Sequence, residues 1–205
     1  MEPAIDTIIF DLGRVLIRIT PEGEKFSALM RSLGVAPEAA FGLFWRESAV
    51  ERHMRGLIDS REFYRLVGNR LASALSYDDF VDAWCDIFQP NPEMESLFGK
   101  LADRFPLGLL SDTDPLHWQR VRELSPWLAR VKRPTLSFET GFLKPEYGAF
   151  RRAAADCGRE RLDSCLFIDD MPGNVEGARA AGMRALRFTG ARELELDLER
   201  LGLLG

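Results

Sequence analysis

Histidine is nearly absent: His53 and His117 are the only two in 205 residues. That scarcity excludes a multi-histidine metal centre and argues against a histidine-activated nucleophile. Cysteine is sparse as well. Cys85, Cys157 and Cys165 are odd in number, widely spaced and set among apolar neighbours, so buried reduced thiols are expected in place of a disulfide frame or metal cluster. Nor is basic charge in excess. With 27 Lys and Arg against 32 Asp and Glu, the net charge is -5, and the footprint of a nucleic-acid or anionic-membrane partner is missing. The segment MEPAIDTIIFDLGRVLI spreads Glu2, Asp6 and Asp11 around a short apolar stretch. It reads neither as a cationic leader nor as a membrane span, and a cytoplasmic location without membrane association is expected. No repeat or low-complexity stretch interrupts the chain.

What is present is enough apolar material, 46% of residues, to bury a substantial core. Ile8 to Phe10 form a run that stops at Asp11-Leu12-Gly13, the pattern of a strand buried on both faces whose end meets a loop. The pattern recurs at Leu107 to Leu110 before Ser111-Asp112, at Cys165 to Ile168 before Asp169-Asp170, and at Ala185 to Phe188 before Thr189-Gly190. Helix-like stretches lie between them: Phe150 to Cys157 stops at Gly158, and Val175 to Ala181 stops at Gly182. A final amphipathic helix is expected over Glu193 to Leu201, with Leu194, Leu198 and Leu201 on one face. Alternating strands and helices predict an α/β fold with a doubly wound, Rossmann-like parallel sheet. Residues 19–92 carry helical stripes instead: Phe26, Met30 and Leu33; Phe41, Phe44 and Trp45; Phe63, Leu66 and Val67; Phe80, Trp84, Ile87 and Phe88. These predict an inserted helical domain over 19–92, closed by Pro90-Asn91-Pro92, with a core formed by 1–18 and 93–205.

In open parallel sheets ligands bind beyond the carboxyl ends of the strands, so Asp11, Ser111, Asp169 and Asp170 should converge. Three carboxylates facing one another repel unless a cation sits among them, and all-oxygen ligation points to magnesium. Phosphate partners are at hand in the Ser111 hydroxyl and in Lys144 of Gly141-Phe142-Leu143-Lys144-Pro145. Pro145 is expected in the first turn of the next helix.

Phe10-Asp11-Leu12-Gly13, Leu110-Ser111-Asp112-Thr113, Lys144-Pro145 and Phe167-Ile168-Asp169-Asp170 through Asn174 and Gly177 occur in an order that resembles the haloacid dehalogenase-like (HAD) superfamily over nearly the whole chain. Within it the motifs are similar to the branch of glucose-1-phosphate phosphatase-like proteins and the N-terminal domain of soluble epoxide hydrolase. The resemblance implies that the insert is a helical cap and that Asp11 attacks phosphorus to give an aspartyl-phosphate, later hydrolysed by water. It further implies a magnesium held by Asp11, Asp170 and the Gly13 carbonyl, with Asp169 in the same acidic group and Asn174 orienting ligands nearby. Ser111 and Lys144 would bind the transferring phosphoryl group, with Asp112 and Arg14 beside the substrate.

Two departures carry consequences. Gly13 stands where these phosphatases usually place a second aspartate as general acid and base, and Asp112 stands where the branch often has asparagine. The expected activity is hydrolysis of a small phosphorylated metabolite. A metal-free carbon-halogen hydrolase is the alternative enzyme, and a non-catalytic binding protein the alternative class. In the cap, Arg46, Arg52, His53 and Arg55 are candidate substrate contacts, each read first as an exposed structural charge. The cap is expected to close as a lid.

Overall fold

Thr7-Ile8-Ile9-Phe10 lies at the centre of a parallel sheet in the computed structural model of the chain, which describes residues 4–20, 23–34, 36, 48–68 and 75–204. The elements in chain order are β1 (Thr7–Phe10), β2 (Arg18–Ile19), α1 (Glu24–Ser32), α2 (Ser48–Met54), α3 (Ser60–Gly68), α4 (Tyr77–Trp84), β3 (Phe88–Gln89) and α5 (Pro92–Ala102). There follow β4 (Leu107–Ser111), α6 (Pro115–Leu124), β5 (Thr135–Leu136), α7 (Ser137–Thr140), α8 (Tyr147–Asp156), β6 (Cys165–Asp169), α9 (Pro172–Ala180), β7 (Arg184–Arg187) and α10 (Ala191–Arg200).

The sheet has five strands in the order β5-β4-β1-β6-β7, every pair parallel. From β1 the chain moves outward through β4 to β5, then returns to the other side of β1 for β6 and β7. The reversal opens a crevice at the carboxyl ends of β1, β4 and β6. Both faces are covered, which is why these strands read as unbroken apolar runs. Ile8 and Phe10 point to one face, against Phe98 of α5 and Leu194 and Leu198 of α10. Ile9 points to the other, with Phe150 and Ala153 of α8 and Val175 and Ala178 of α9. Each such fully buried Ile or Phe contributes about 1.5–3 kcal/mol.

A separate apolar cluster unites α1 to α4 through Phe26, Met30, Val50, Met54, Phe63, Val67, Phe80 and Trp84. The stripe Phe41, Phe44 and Trp45 lies outside the described residues. The chain enters and leaves this helical layer through the antiparallel pair β2-β3, where Arg18 faces Gln89 and Ile19 faces Phe88. Beyond it, Asn91 donates from Nδ2 to the Val15 carbonyl (3.0 Å), and Pro92 starts α5. Among the described residues no helix is long and apolar enough to cross a membrane. Cys85, Cys157 and Cys165 are free, and burial pushes their thiols up to about 12, 11 and 11.

Two local expectations change. β5 has only two residues and no apolar run to announce it, yet it extends the sheet beyond β4. Pro145 is not in the first turn of a helix: α8 begins at Tyr147, and Pro145 sits in the preceding turn, joined to Lys144 by a cis peptide bond. That turn leaves the Lys144 N–H free of any helix, and it donates to the Asp112 carboxylate instead (3.0 and 3.2 Å).

One tie between the helical layer and the core is a buried carboxylate. Asp114 Oδ1 caps α6 by accepting from the Leu116 and His117 N–H groups (2.9 and 3.0 Å), while Oδ2 accepts from Trp84 Nε1 (3.1 Å) and faces His117 Nδ1 (3.1 Å). Burial pushes the Asp114 carboxyl up, but the facing His117 and His53 and these hydrogen bonds outweigh it and hold it below its ordinary 3.8. A carboxyl so depressed stabilises the fold fully above pH 3.8, and the contribution is lost as pH falls through its lower folded value. Asp114→Ala should therefore cost about 3–5 kcal/mol at neutral pH, because a buried charged hub is removed from its partners. Urea unfolding across pH should show the deficit shrinking in strong acid; a deficit independent of pH would contradict the assignment.

Candidate active site

The loop after β1 is wound tightly by its own backbone. Leu16 and Ile17 N–H groups both donate to the Leu12 carbonyl (2.9 and 3.0 Å), and the Arg14 N–H donates to the Ile17 carbonyl (2.8 Å). Closing this turn places Arg14 at φ 60°, a left-handed conformation that costs a non-glycine residue roughly 1–3 kcal/mol and tends to gather at functional sites. Asp11, the first residue past β1, is thereby fixed at the crevice, with its own N–H donating to the Ile168 carbonyl (2.8 Å).

Against it comes Lys144, from the turn between α7 and α8. Its Nζ donates to Asp11 Oδ1 and to Asp169 Oδ2 (2.8 Å), and all three side chains are almost wholly buried. Asp169 is saturated: besides Lys144 it accepts from the Met171 N–H (2.8 Å) and from Asn174 Nδ2 (3.1 and 3.0 Å). Asp170 is more open and lies 3.8 Å from an Arg14 Nη. Carboxylate oxygens of Asp11, Asp169 and Asp170 all fall within 4.8 Å of one another.

Burial pushes the Asp11 carboxyl up to about 7, against the pull of Lys144 and with Asp169 adding to the rise. Burial and Asp169 raise Asp170 too. Lys144 is raised as well, which for a lysine favours the charged form. Burial disfavours its charge, but Asp11, Asp169 and Asp112 outweigh that and raise it above the ordinary lysine value. One ammonium thus faces an excess of acidic groups, and a further cation would relieve their repulsion.

Ser111 ends β4 beside Asp11, and the loop behind it is stapled by Ser137, whose Oγ accepts from the Thr113 N–H and donates to its carbonyl (2.9 Å each). Asp112 spends its carboxylate on the Lys144 backbone, and burial pushes it up to about 6. Asp11, Gly13, Arg14, Ser111, Asp112, Lys144 and Asp170 line one cavity of about 540 Å³; Asp169 sits beneath its floor. The far wall comes from the helical layer.

The polar cap candidates are placed elsewhere. His53, read as an exposed charge, is buried, with Nε2 on Ser60 Oγ (3.0 Å) and its ring stacked on Phe63. Burial of the imidazole against Phe63 lowers the pKa of His53, so the neutral ring is favoured in this packing. Arg52 lies 3.8 Å from Glu62. Arg55 grips Glu51 (2.9 Å), Glu146 (2.6 Å) and the Gly141 carbonyl (2.8 Å), bracing the loop that carries Lys144. Arg46 lies outside the described residues. Asp114, Ser137 and Arg55 were not legible as site supports; Asp114-Pro115, a helix N-cap followed by proline, is the one sequence pattern that could have pointed to any of them.

The haloacid dehalogenase-like hydrolase profile matches residues 5–182, and the chain belongs to that family of hydrolytic enzymes. Its fold is similar to a HAD family enzyme from Bacteroides thetaiotaomicron solved with magnesium and inorganic phosphate, at 23% identity and TM-score 0.76, covering 90% of this chain and 94% of that one. A predicted HAD-like hydrolase from Porphyromonas gingivalis matches at 24% identity and TM-score 0.78, covering 97% and 98%. A 2-haloacid dehalogenase from Pseudomonas syringae matches at 20% and 0.60, covering 90% and 86%.

Replacing Lys144 with Met should leave Asp11 and Asp169 buried without their cation. With chelator present, chemical unfolding is expected to show a loss of about 3–5 kcal/mol. Unchanged stability would mean that the carboxylates are already neutral.

Proposed function

We propose that the chain is a magnesium-dependent phosphatase acting on a small phosphorylated molecule through an aspartyl-phosphate on Asp11. The observation that carries this reading is the acidic group itself: Asp11 and Asp170 open to the cavity, Asp169 beneath them, and one lysine insufficient to balance them. Asp11, Asp170 and the Gly13 carbonyl would hold the ion, since hard oxygen donors suit magnesium. Asp169 has its oxygens on Lys144, Asn174 and Met171, which suits it to orienting the cluster. When bound, magnesium supplies positive charge that offsets the carboxylates and the incoming phosphate.

In the reaction an Asp11 oxygen forms a bond to phosphorus while the bond to the leaving oxygen breaks, and that oxygen departs with the electron pair. Lys144 neutralises charge on Asp11 and on the phosphoryl oxygens, and the Ser111 hydroxyl donates to the latter. A water oxygen then forms a bond to phosphorus as the phosphorus–oxygen bond to Asp11 breaks, its proton passing to solvent, which frees inorganic phosphate and restores the Asp11 carboxylate. Metal-free dehalogenation remains the competing chemistry, favoured by Gly13 and disfavoured by Asp170, a carboxylate hard to place beside an anionic haloacid without a cation.

The deciding experiment is hydrolysis of 4-nitrophenyl phosphate with magnesium and with chelator, set beside 2-chloropropionate without metal. Turnover of the ester only with magnesium is expected. Asp11→Asn should reduce it to a trace while the protein stays folded, and Asp170→Ala should remove the rise in Tm caused by magnesium. Dehalogenation without metal would overturn the proposal, and magnesium binding without turnover of any ester would favour a binding role.

Gly13 adds a kinetic expectation. A general acid is worth ~10² to 10⁴-fold, and at position 13 none is present. The rate of phosphoenzyme formation should therefore depend steeply on leaving-group pKa. The backbone at Gly13 is not left-handed, and an added Cβ would meet only the flexible tip of Ile19, 2.8 Å away. Gly13→Asp should flatten the dependence once Ile19 shifts; a flat plot in the natural protein would show that another group already donates the proton.

A further inference from the structure

Resting on the phosphatase reading, we propose that the leaving group this site accepts is an apolar, aryl-type body and not a sugar or other polyol. The cavity of about 540 Å³ is divided in its chemistry. Its charged side is the sheet edge. Its other side, among the described residues, is built from Phe26, Val50, Met54, Trp84, Ile87 and Phe88. Apart from Phe88, these are buried residues of the helical layer's own cluster, so the wall is a fixed surface of that core.

Among the described residues, the polar atoms of Trp84, His117 and Asp114 beside the wall are already engaged within the protein. The Trp84 indole N–H donates to Asp114, His117 has Nδ1 facing Asp114 and Nε2 on the Trp84 carbonyl (3.0 Å), and Asp114 is occupied by four groups. The Thr113 N–H is held by Ser137. A sugar pressed against this wall would bury hydroxyls with no partner, a loss that a hydrocarbon does not suffer.

Beside Gly13 the space is closed by another apolar group, Ile19 Cδ1. Among the described residues, the neighbour on that side is a hydrocarbon and not an acid. A group that departs without protonation is therefore favoured, and an aromatic ring bearing an acidic hydroxyl satisfies both demands: it fills the wall and stabilises the departing oxyanion.

The test uses the natural protein with magnesium and ester pairs matched in the bond that breaks. Cyclohexylmethyl phosphate is compared with glucose 6-phosphate, both primary alkyl esters, and 2-naphthyl phosphate with phenyl phosphate. In each pair the more apolar member should show kcat/KM higher by about tenfold or more, the scale of added hydrocarbon in an apolar pocket. A binding readout independent of turnover is 2-naphthylmethylphosphonate against methylphosphonate by calorimetry, where the naphthyl compound should bind at least about tenfold tighter. Val50→Thr, which adds a hydroxyl without changing side-chain size, should shrink the preference for cyclohexylmethyl over glucose 6-phosphate several-fold. Equal or better use of glucose 6-phosphate, or equal phosphonate affinities, overturns the apolar assignment alone, provided 4-nitrophenyl phosphate or acetyl phosphate is hydrolysed. If neither control ester is hydrolysed, the phosphatase reading fails and this inference falls with it.

Discussion

The contact of Lys144 Nζ with Asp11 and Asp169 is the constraint on which the sheet edge depends. Two ionised carboxylates buried side by side at the ends of adjacent strands are costly unless a positive charge is buried with them. That charge is delivered by a turn, and a turn is a poor support for a buried lysine on its own. Asp112 therefore holds the Lys144 backbone from the β4 side, and Arg55 holds Gly141 and Glu146 from the helical layer. Loss of any of these would move the ammonium and with it the charge balance at Asp11.

The strand ends were legible because the strands are covered on both faces. Ile8 to Phe10 and Cys165 to Ile168 have no solvent-facing position to break their apolar run, so the first charge after each marks the sheet edge. Lys144 was legible from its motif, as a partner for phosphate beside Asp11. Its pairing with Asp169, and the consequent commitment of that carboxylate to three donors, was not, because the partners stand 25 and 5 residues apart and only folding brings them together. β5 escaped notice because two residues carry no periodicity. The polar residues of the cap were misleading for a related reason. Histidine and arginine look alike in a sequence whether they face substrate, stack in a core like His53 or brace a loop like Arg55.

The helical layer contributes apolar surface to the cavity but, among the described residues, none of the charge that balances Asp11. Under the phosphatase proposal, phosphate handling and leaving-group selection would fall to different parts of the chain, linked in part by Asp114, which caps α6 in the core and anchors Trp84 of the wall. Arg55, through Glu146 and the Gly141 carbonyl, is a second link between the same two parts.

Ile19 belongs to β2, one of two short strands that connect the helical layer to the core, and its tip lies over Gly13, two residues past Asp11. A pivot and a contact on the site loop thereby reside in one side chain. Under the phosphatase proposal, rocking of the helices about the β2-β3 ribbon would carry that methyl across the loop, as a cam rides on its follower. The position of the helical layer would thereby be felt beside the departing oxygen through a hydrocarbon contact.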